Sequence, residues 1–362
     1  MKKIAFAWWG SGWHIFPIKS LIEYFSSQNP ELQIFWFGEK NSMEEGICKQ
    51  LEESGINVKF VAIMSGKVRR YWTLKAIWLN LVDIFKLKIG FFQSLYYLRK
   101  YKIDTLFSKW GSVSLPPSIA ARILRKQVYM HESDTVPWLA NRVVGKFANK
   151  IFLGLETVKE YFPKEKTQLV GQILGEVFYK ERKVNKCSEL SNLLLIGGSQ
   201  WAAIILDALL EIASNHSEVL ANYNITIIWG TLNKQYGEKF VDYKNIKFLE
   251  FVSQEEMAEI LTCIDMSITR WSGTSLAEQD LFGIWKIIIP LPFTGGNHQY
   301  RNAVDYVKRG DVLVEQKGDL KGKLLELLRE KAGFKKTIAE KWEIINEKIE
   351  DSKGVIYESM VS

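Results

Sequence analysis

Short apolar runs alternate along the chain with longer stretches in which apolar residues recur at helical spacing. The apolar runs predict buried strands, and the amphipathic stretches between them predict helices. In the first half, predicted strands cover 4–7, 34–37, 58–63, 105–108 and 127–131, and predicted helices cover 15–28, 42–54, 73–101 (as one helix or two), 119–124 and 138–147. This alternation predicts an α/β fold with a doubly wound parallel sheet.

The same alternation starts again near residue 193. Here the predicted strands cover 193–196, 225–228, 246–248, 266–269 and 287–292, and the predicted helices cover 202–214, 255–261, 276–282 and the tail 320–349. Residues 180–191 are charged and poor in apolar side chains, which indicates a linker. The expected organisation is a first domain at 1–170, a linker at 171–191, a second domain at 192–340 and a final helix at 341–362 that returns to the first domain.

Residues 269–303 contain the most informative pattern. A small-residue turn at 272–275 precedes the predicted helix, and the apolar run 287–292 leads to a predicted loop with a polar cluster at residues 298–302. Ligands of open α/β sheets bind beyond the carboxyl ends of strands, where this cluster lies. Glu278 is expected in the first turn of its helix, where it could accept hydrogen bonds from a sugar diol. The alternative is that Glu278 only caps the helix and that the cluster of His298, Gln299, Arg301 and Asn302 is a solvated loop.

Two glycine loops lie between a predicted strand and a predicted helix. Residues 197–200 read Gly-Gly-Ser-Gln, and residues 10–12 read Gly-Ser-Gly, shortly before His14. Glycines allow close approach of a ligand to the backbone, and a helix start offers free N–H groups to an anion. Neither loop has the P-loop or dinucleotide pattern, so ordinary strand-to-helix turns are the alternative for each.

Composition narrows the class of protein. The 362 residues suggest roughly two domains, and the hydrophobic fraction of 47% is sufficient for sizeable cores. Three widely spaced cysteines form neither a disulfide framework nor a zinc motif, which favours a reducing compartment. No stretch is long enough to predict a transmembrane span. The net charge of +7 favours anionic partners, although no nucleic-acid-binding motif accompanies it.

Several short motifs together resemble the MurG family of glycosyltransferases. The loop at 10–17 resembles the family's GGTGGHxFP motif, and further matches follow in family order at 43–44, 111–116, 131–141, 197–200, 272–278 and 298–303. The resemblance implies a GT-B fold of two Rossmann-like domains facing a cleft. It implies inverting transfer of N-acetylglucosamine from UDP-N-acetylglucosamine to an undecaprenyl-linked muramyl-pentapeptide, the step from lipid I to lipid II in peptidoglycan biosynthesis, without a cofactor or catalytic metal.

The resemblance also implies roles for individual residues. His14 is the candidate general base, because an imidazole can accept a hydroxyl proton near neutral pH; the alternative is that it only orders its loop. The implied substrate-binding residues are Ser11, Gly12, Trp13, Asp134, Ser199, Gln200, Val252, Gly273, Thr274, Ser275, Leu276, Ala277, Glu278, Gln299 and Asn302. Among them, Ser199 is implied to bind the donor diphosphate, Glu278 the ribose and Gln299 the donor sugar.

Two departures from the family pattern keep other functions open. The family's HEQN reads His-Glu-Ser-Asp at 131–134, so that Asp134 replaces an amide that contacts the nucleotide. The family's GNPVR reads Gly-Gln-Ile-Leu-Gly at 171–175, so that Gly175 replaces an arginine expected to bind phosphate. The alternatives are a GT-B transferase with another lipid-linked acceptor and a nucleotide-sugar-binding protein without catalysis.

Tryptophan stands at several positions where the family has glycine. These positions are Trp8, Trp9, Trp13, Trp110, Trp138 and Trp201. An indole would fill a phosphate site or strain a loop that needs glycine. We hypothesise that UGA codons of the gene are read as glycine in the organism, and UGG codons at these positions would refute this. If the tryptophans are real, we expect impaired catalysis.

Residues 66–102 combine positive charge with large apolar side chains. Nine lysines and arginines accompany a single acidic residue, Asp83. Part of the apolar surface must pack on the first domain's sheet, which is the alternative reading for any one of these side chains. The surplus of apolar residues among cations is typical of a helix that lies on an anionic bilayer without spanning it. We therefore expect peripheral binding to a membrane, and the family resemblance implies the cytoplasmic face of the cell membrane.

Overall fold

A computed structural model describes residues 2–8, 15–66, 73–109, 111–181, 191–197, 203–230, 233–270, 273–292, 298–330 and 352–361, without the side chains of 74–77 and 298. The chain forms two compact units. The first contains Met1–Leu174 together with Glu350–Ser362, and the second contains Gly175–Ile349. No helix among the described residues is both long enough and apolar enough to span a bilayer.

The first unit is a seven-stranded parallel sheet in the order β3-β2-β1-β4-β5-β6-β7. Its strands are β1 Lys3–Ala7, β2 Gln33–Gly38, β3 Val58–Ala62, β4 Thr105–Lys109, β5 Gln127–Glu132, β6 Lys150–Leu153 and β7 Thr167–Leu169. Its helices are α1 Phe16–Gln28, α2 Met43–Glu53, α3 Leu74–Lys100, α4 Leu115–Ile123 and α5 Leu139–Phe147, with the C-terminal helix Ser352–Val361, numbered α14.

Both faces of this sheet are covered. Ile4 and Phe6 of β1 belong to one apolar core, whereas Ala5 and Ala7 belong to the core on the opposite face. This division follows from the alternation of side chains along a strand, and burial on both faces explains why the strands read as continuous apolar runs. The C-terminal helix α14 packs on the first face, where the ring of Tyr357 lies 5.0 Å from that of Phe25.

The second unit is a six-stranded parallel sheet in the order β10-β9-β8-β11-β12-β13. Its strands are β8 Ser191–Ile196, β9 Tyr223–Ile228, β10 Ile246–Leu249, β11 Met266–Thr269, β12 Trp285–Ile288 and β13 Val312–Leu313. Its helices are α6 Glu176–Lys180, α7 Ala203–Asn215, α8 Ser217–Leu220, α9 Gln235–Phe240, α10 Gln254–Leu261, α11 Gly273–Leu281, α12 His298–Val307 and α13 Leu320–Arg329. The two parallel sheets with interleaved helices confirm the predicted α/β class.

Several predicted elements need correction. Helix α4 begins at Leu115 rather than at 119, because prolines are tolerated in the first turn of a helix. The strands β6, β7 and β13 were not predicted, and β7 and β13 have only three and two residues. The polar cluster predicted as a loop at 298–302 begins helix α12, whose Ala303 and Tyr306 are buried. The predicted tail helix continues to Arg329, and residues 331–351 lie outside the described residues.

The cysteines differ from the expectation in one respect. Cys48 is a buried free thiol, whose pKa is raised to about 12, chiefly by burial. Cys263 is disulfide-bonded, which the wide spacing of the cysteines did not predict.

Candidate active site

Several residues with implied roles lie outside the described residues. They are Ser11, Gly12, Trp13, His14, Ser199 and Gln200. Their roles therefore stay predictions. The remaining candidates belong to two separate groups, each at the carboxyl ends of the strands of one unit.

The strand order of the second unit creates a ligand-binding edge. Strand β8 pairs with β9 on one side and with β11 on the other, so the connections that follow β8 and β11 leave in opposite directions. Crevices at such a switch point are the usual ligand sites of open α/β sheets. Gly197 follows β8, and a Cβ atom there would lie 2.9 Å from the Trp229 ring. Glycine is therefore required where the chain leaves this strand.

Glu278 is the most informative residue of the second unit. Its carboxyl group is almost wholly buried, and Oε1 has no hydrogen-bond partner among the described residues. Burial raises its pKa to about 8. A buried polar group without a partner is costly unless a ligand completes its hydrogen bonds. The two hydroxyls of a vicinal diol could donate hydrogen bonds to this group, and such bonds would favour its charged form.

The expectation that Glu278 lies in the first turn of its helix is wrong. Helix α11 begins at Gly273, which makes Glu278 its sixth residue, and the first turn has no acidic residue. The small residues of the predicted turn are thus part of the helix itself. Because a carboxylate this far from the helix start cannot cap it, the capping alternative for Glu278 loses its basis.

The other candidates on α11 divide by burial. Thr274, Ser275 and Ala277 are half-buried and could meet a ligand. The Leu276 side chain is fully buried, so only its backbone could contact a nucleotide. Gly273, at the helix start, is also buried.

The remaining candidates are Gln299 and Asn302, which lie near the start of α12, and Val252, which precedes α10. The Gln299 side-chain oxygen accepts a hydrogen bond of 2.9 Å from the Leu291 N–H, which holds the loop after β12 and leaves the amide group of Gln299 as a donor. Asn302 is fully buried. The Val252 side chain is buried immediately before Ser253, the N-cap of α10, so Val252 can present only its backbone to a base.

In the first unit, polar side chains converge at the ends of β4 and β5. Lys109 Nζ donates a hydrogen bond of 2.7 Å to Ser133 Oγ and lies 3.1 Å from His131 Nδ1. Glu132 accepts hydrogen bonds from the Asp134 backbone N–H at 2.9 Å and from Asn141 Nδ2 at 2.7 Å. The sequence analysis missed Lys109, although a lysine that ends an otherwise buried strand is an available signal.

Burial brings two pKa values of this group close to neutrality. Desolvation lowers the pKa of Lys109 to about 7, and it raises the pKa of Glu132 to about 8 with a further contribution from Asp134. Burial and then the neighbouring Lys109 hold the pKa of His131 well below its ordinary value. Shifted pKa values in a cluster of polar side chains are typical of functional sites.

Of the six tryptophans that stand at glycine positions, Trp8 and Trp138 lie within the described residues. Both contact this polar group. The Lys109 ammonium lies 5.2 Å from the Trp8 ring centre, and Trp138 Nε1 donates a hydrogen bond of 3.0 Å to Asp134 Oδ2. Trp8 is buried, and its Nε1 has no hydrogen-bond partner within the described part of the chain. Glycine at position 8 would remove the indole that covers Lys109.

Comparisons with known proteins identify the family. The family model of the glycosyltransferase family 28 N-terminal domain matches residues 4–153, and that of its C-terminal domain matches residues 192–353. The chain belongs to glycosyltransferase family 28, and relatives at 30–31% identity over 88% of the chain place it within the MurG family. The resemblance in the short motifs is therefore confirmed.

Curated relatives extend over most of the chain. The UDP-N-acetylglucosamine–N-acetylmuramyl-(pentapeptide) pyrophosphoryl-undecaprenol N-acetylglucosamine transferase of Borrelia hermsii is 30% identical over 88% of this chain and 83% of its own length. The enzyme of the same name from Streptococcus pyogenes is 31% identical over 88% and 86%. Both pairs therefore align over nearly their whole length.

Solved structures show the same fold. MurG of Acinetobacter baumannii superposes with a TM-score of 0.76 at 19% identity, covering 99% of both chains. A UDP-GlcNAc 2-epimerase from Neisseria meningitidis, bound to UDP-GlcNAc, superposes with a TM-score of 0.65 at 14% identity and covers 99% of both chains. These likenesses establish the GT-B architecture of the chain.

Gly175, which replaces the family's arginine, has little space around it. A Cβ atom at Gly175 would lie 3.1 Å from Oε1 of Gln254, so a larger side chain would require Gln254 to move. The absence of the arginine is thus accommodated locally by the Gln254 side chain.

Proposed function

We propose that this chain transfers N-acetylglucosamine from UDP-N-acetylglucosamine to undecaprenyl-pyrophosphoryl N-acetylmuramyl-pentapeptide, with inversion at the anomeric carbon. This reaction converts lipid I into lipid II in peptidoglycan biosynthesis. Near-full-length relatives are named for this activity. The structural observation that carries the proposal is the buried Glu278 carboxyl group, whose Oε1 lacks a partner among the described residues at the ligand edge of the second unit.

The reaction assigns distinct tasks to the protein. An acceptor hydroxyl attacks the anomeric carbon opposite UDP, the bond to the diphosphate breaks, and the hydroxyl proton passes to a base. We assign the base to His14 and the diphosphate to the loop with Ser199 and Gln200. The Val252 backbone, residues 273–278 and Asn302 would hold the nucleotide, and Gln299 the sugar. In the first unit, residues 11–13 and Asp134 are assigned to substrate binding.

Transfer and binding assays test this function. We expect UDP-N-acetylglucosamine to bind and its sugar to be transferred to a lipid I analogue. Transfer to a different lipid-linked acceptor alone would favour the related transferase, to which Gly175 and Asp134 point. Binding without transfer would favour the non-catalytic binding protein, for which the Trp8 indole over Lys109 is the supporting observation. The same assays on protein with glycine at the six tryptophan positions would show whether the indole side chains prevent transfer or whether the chain lacks catalytic activity without them too.

Glu278→Ala should weaken donor binding by about 1.5–3 kcal/mol, the range for hydrogen bonds to charged groups. The measurement is the Kd for UDP by calorimetry. Glu255→Ala is a matched control, since Glu255 is an exposed carboxylate on α10. A folded Glu278→Ala protein with the parent's affinity for UDP would remove this residue from the nucleotide site.

Helix α3 supports the proposed membrane association, because large apolar side chains lie on its exposed face and mostly small or polar ones on its buried face. Its exposed residues include Trp78, Leu81, Phe85, Ile89, Phe92 and Tyr96, with exposed fractions of 45–66%. Their spacing of three and four residues places them along one face, here called the apolar stripe. The buried positions of the same helix include Asp83, Gly90, Ser94 and Leu98, most of them small or polar. Packing on the sheet therefore does not account for the apolar stripe.

Cations border the apolar stripe. Lys88 lies over the Phe85 ring at 5.6 Å, and Lys100 lies over the Tyr96 ring at 5.4 Å. A groove of about 500 Å³ beside them is lined by Phe92, Leu95, Tyr96, Arg99 and Lys100. Apolar rings inserted among lipids with lysines at the headgroups are typical of a helix lying in a membrane interface.

We expect binding to anionic vesicles that decreases with salt and weakens when Arg69, Arg70, Lys86 and Lys88 are changed to glutamate. Each cation near an anionic bilayer contributes about 1 kcal/mol. The measurement is vesicle sedimentation over a salt series. Changing the exposed lysines of the second unit, Lys239, Lys244, Lys247 and Lys317, to glutamate gives the same change in net charge and should have a smaller effect. Equal partitioning onto neutral and anionic vesicles, or none at low salt, would contradict membrane binding through this surface.

A further inference from the structure

Five charged side chains and one ring form a buried cluster in the second unit, away from the strand ends that carry the candidate ligand residues. The cluster contains Asp280, Lys286, Asp305, Tyr306, Arg309 and Asp311. Lys286 and Asp311 are buried completely, and Asp280 and Asp305 almost completely. Three carboxylates and two cations in an apolar interior require close pairing, because each unpaired charge would be strongly destabilising.

Lys286 occupies the centre of the cluster. Its ammonium pairs with Asp280 Oδ1 and lies 3.3 Å from Asp311 Oδ2, while its backbone N–H donates to Asp311 Oδ1 at 2.9 Å. Since Lys286 belongs to β12, Asp280 to α11 and Asp311 immediately precedes β13, three elements meet at one side chain.

Arg309 lies in the turn after α12 and connects this helix to the cluster through Asp305. One terminal nitrogen of its guanidinium lies 3.5 Å from Asp280 Oδ2, and the other lies 3.1 Å from Asp305 Oδ2. The carboxylate of Asp280 therefore binds Lys286 with one oxygen and Arg309 with the other. Tyr306 lies beneath both cations, with its ring centre 4.9 Å from Arg309 and 5.5 Å from Lys286. A planar guanidinium fork suits a bridge between two carboxylates.

The helices joined by this bridge are those that carry the candidate donor-binding residues. Asp280 follows Glu278 by two residues on α11, and Asp305 follows Asn302 by one helical turn on α12, whose first turn contains Gln299. Because each helix is a rigid element, fixing its last turn also fixes the residues that precede it. Displacements near 1 Å in a positioning element can strongly reduce activity.

We propose that Asp280 and Arg309 form a clamp that sets the placement of α11 against α12, and thereby the placement of Glu278 relative to Gln299 and Asn302. Both are positioning residues that act on donor binding through Glu278, Gln299 and Asn302. The inference rests on the proposed function, since it assumes that these residues bind the UDP moiety of the donor.

The test uses Arg309→Met in the full chain, because this side chain is partly exposed and its replacement leaves the apolar core intact. We expect the Kd for UDP and the KM for UDP-N-acetylglucosamine to rise about five- to tenfold, with the KM for the lipid acceptor unchanged. Arg309→Lys should recover only part of the affinity, since an ammonium cannot bridge both carboxylates. Arg329→Met, which removes a surface pair with Glu218 in the same unit, is the matched control and should leave both constants unchanged.

A double-mutant cycle separates positioning from general loss of stability. If Arg309 acts through Glu278, Arg309→Met should weaken UDP binding much less in a Glu278→Ala background than in the parent. Fully additive effects, or equal losses in Arg309→Met and Arg329→Met, would overturn the proposal. A parent chain that fails to bind UDP would instead contradict the proposed function, so the two failures are distinguishable.

Discussion

His14→Ala is expected to lower kcat about 10²–10⁴-fold, the contribution of general acid–base catalysis by a positioned side chain. The reason is that a base acts in the transition state, when the acceptor hydroxyl loses its proton. The measurement is steady-state transfer to a lipid I analogue at saturating donor. His216→Ala provides a control, since His216 lies beside Glu218 in the second unit outside the candidate site.

The kinetic pattern of His14→Ala decides its role. A fall in kcat that leaves UDP binding unchanged assigns His14 to the chemical step. A rise in KM alone would mean that His14 orders its loop or binds substrate. In that case the polar group of Lys109, His131 and Glu132 would be the next place to search for a base, because two of its pKa values lie near neutrality.

Lys286→Met is expected to destabilise the second unit by about 3–5 kcal/mol, the usual cost of breaking a buried ion pair by removing one partner. The substitution would leave Asp280 and Asp311 buried next to an apolar side chain. Hydrogen exchange of backbone amides in β12 reports the local free energy of opening and avoids treating the two-unit chain as a single transition.

A surface pair provides the comparison for Lys286. Lys321 pairs with Glu211 in the same unit, and both side chains are more than one-third exposed. Lys321→Met should have a much smaller effect, because solvent screens an exposed ion pair. A loss below about 1 kcal/mol in Lys286→Met would show that the buried cluster adds little stability, and its retention would then need a different explanation.

Apolar periodicity was sufficient to predict most of the sheet-forming strands and the α/β class. It did not predict β7, because a three-residue edge strand buries too little apolar surface to show a pattern. It also placed the start of α11 too late, because the small polar residues 273–275 resemble a turn. That error moved Glu278 into the first turn and made a capping role plausible.

The candidate site was only partly predictable for a related reason. Glu278, Gln299 and Asn302 were found through motif resemblance, whereas the burial and missing partner of Glu278 emerge only when α11 packs against its neighbours. Lys109 and Lys286 were missed because a lysine is normally read as exposed. Their burial depends on carboxylates or hydroxyls from distant segments, and no local pattern encodes such pairings.

The C-terminal helix α14 has a consequence for folding during synthesis. Its Ile356 and Met360 are fully buried in the core that contains β1, and Lys2 Nζ donates a hydrogen bond of 2.8 Å to the Val361 carbonyl oxygen. The ribosome makes α14 after the whole second unit, although domains generally fold in order from the N-terminus. The part of this core that α14 covers therefore remains open in the nascent chain, and a chaperone would have its longest opportunity to bind there.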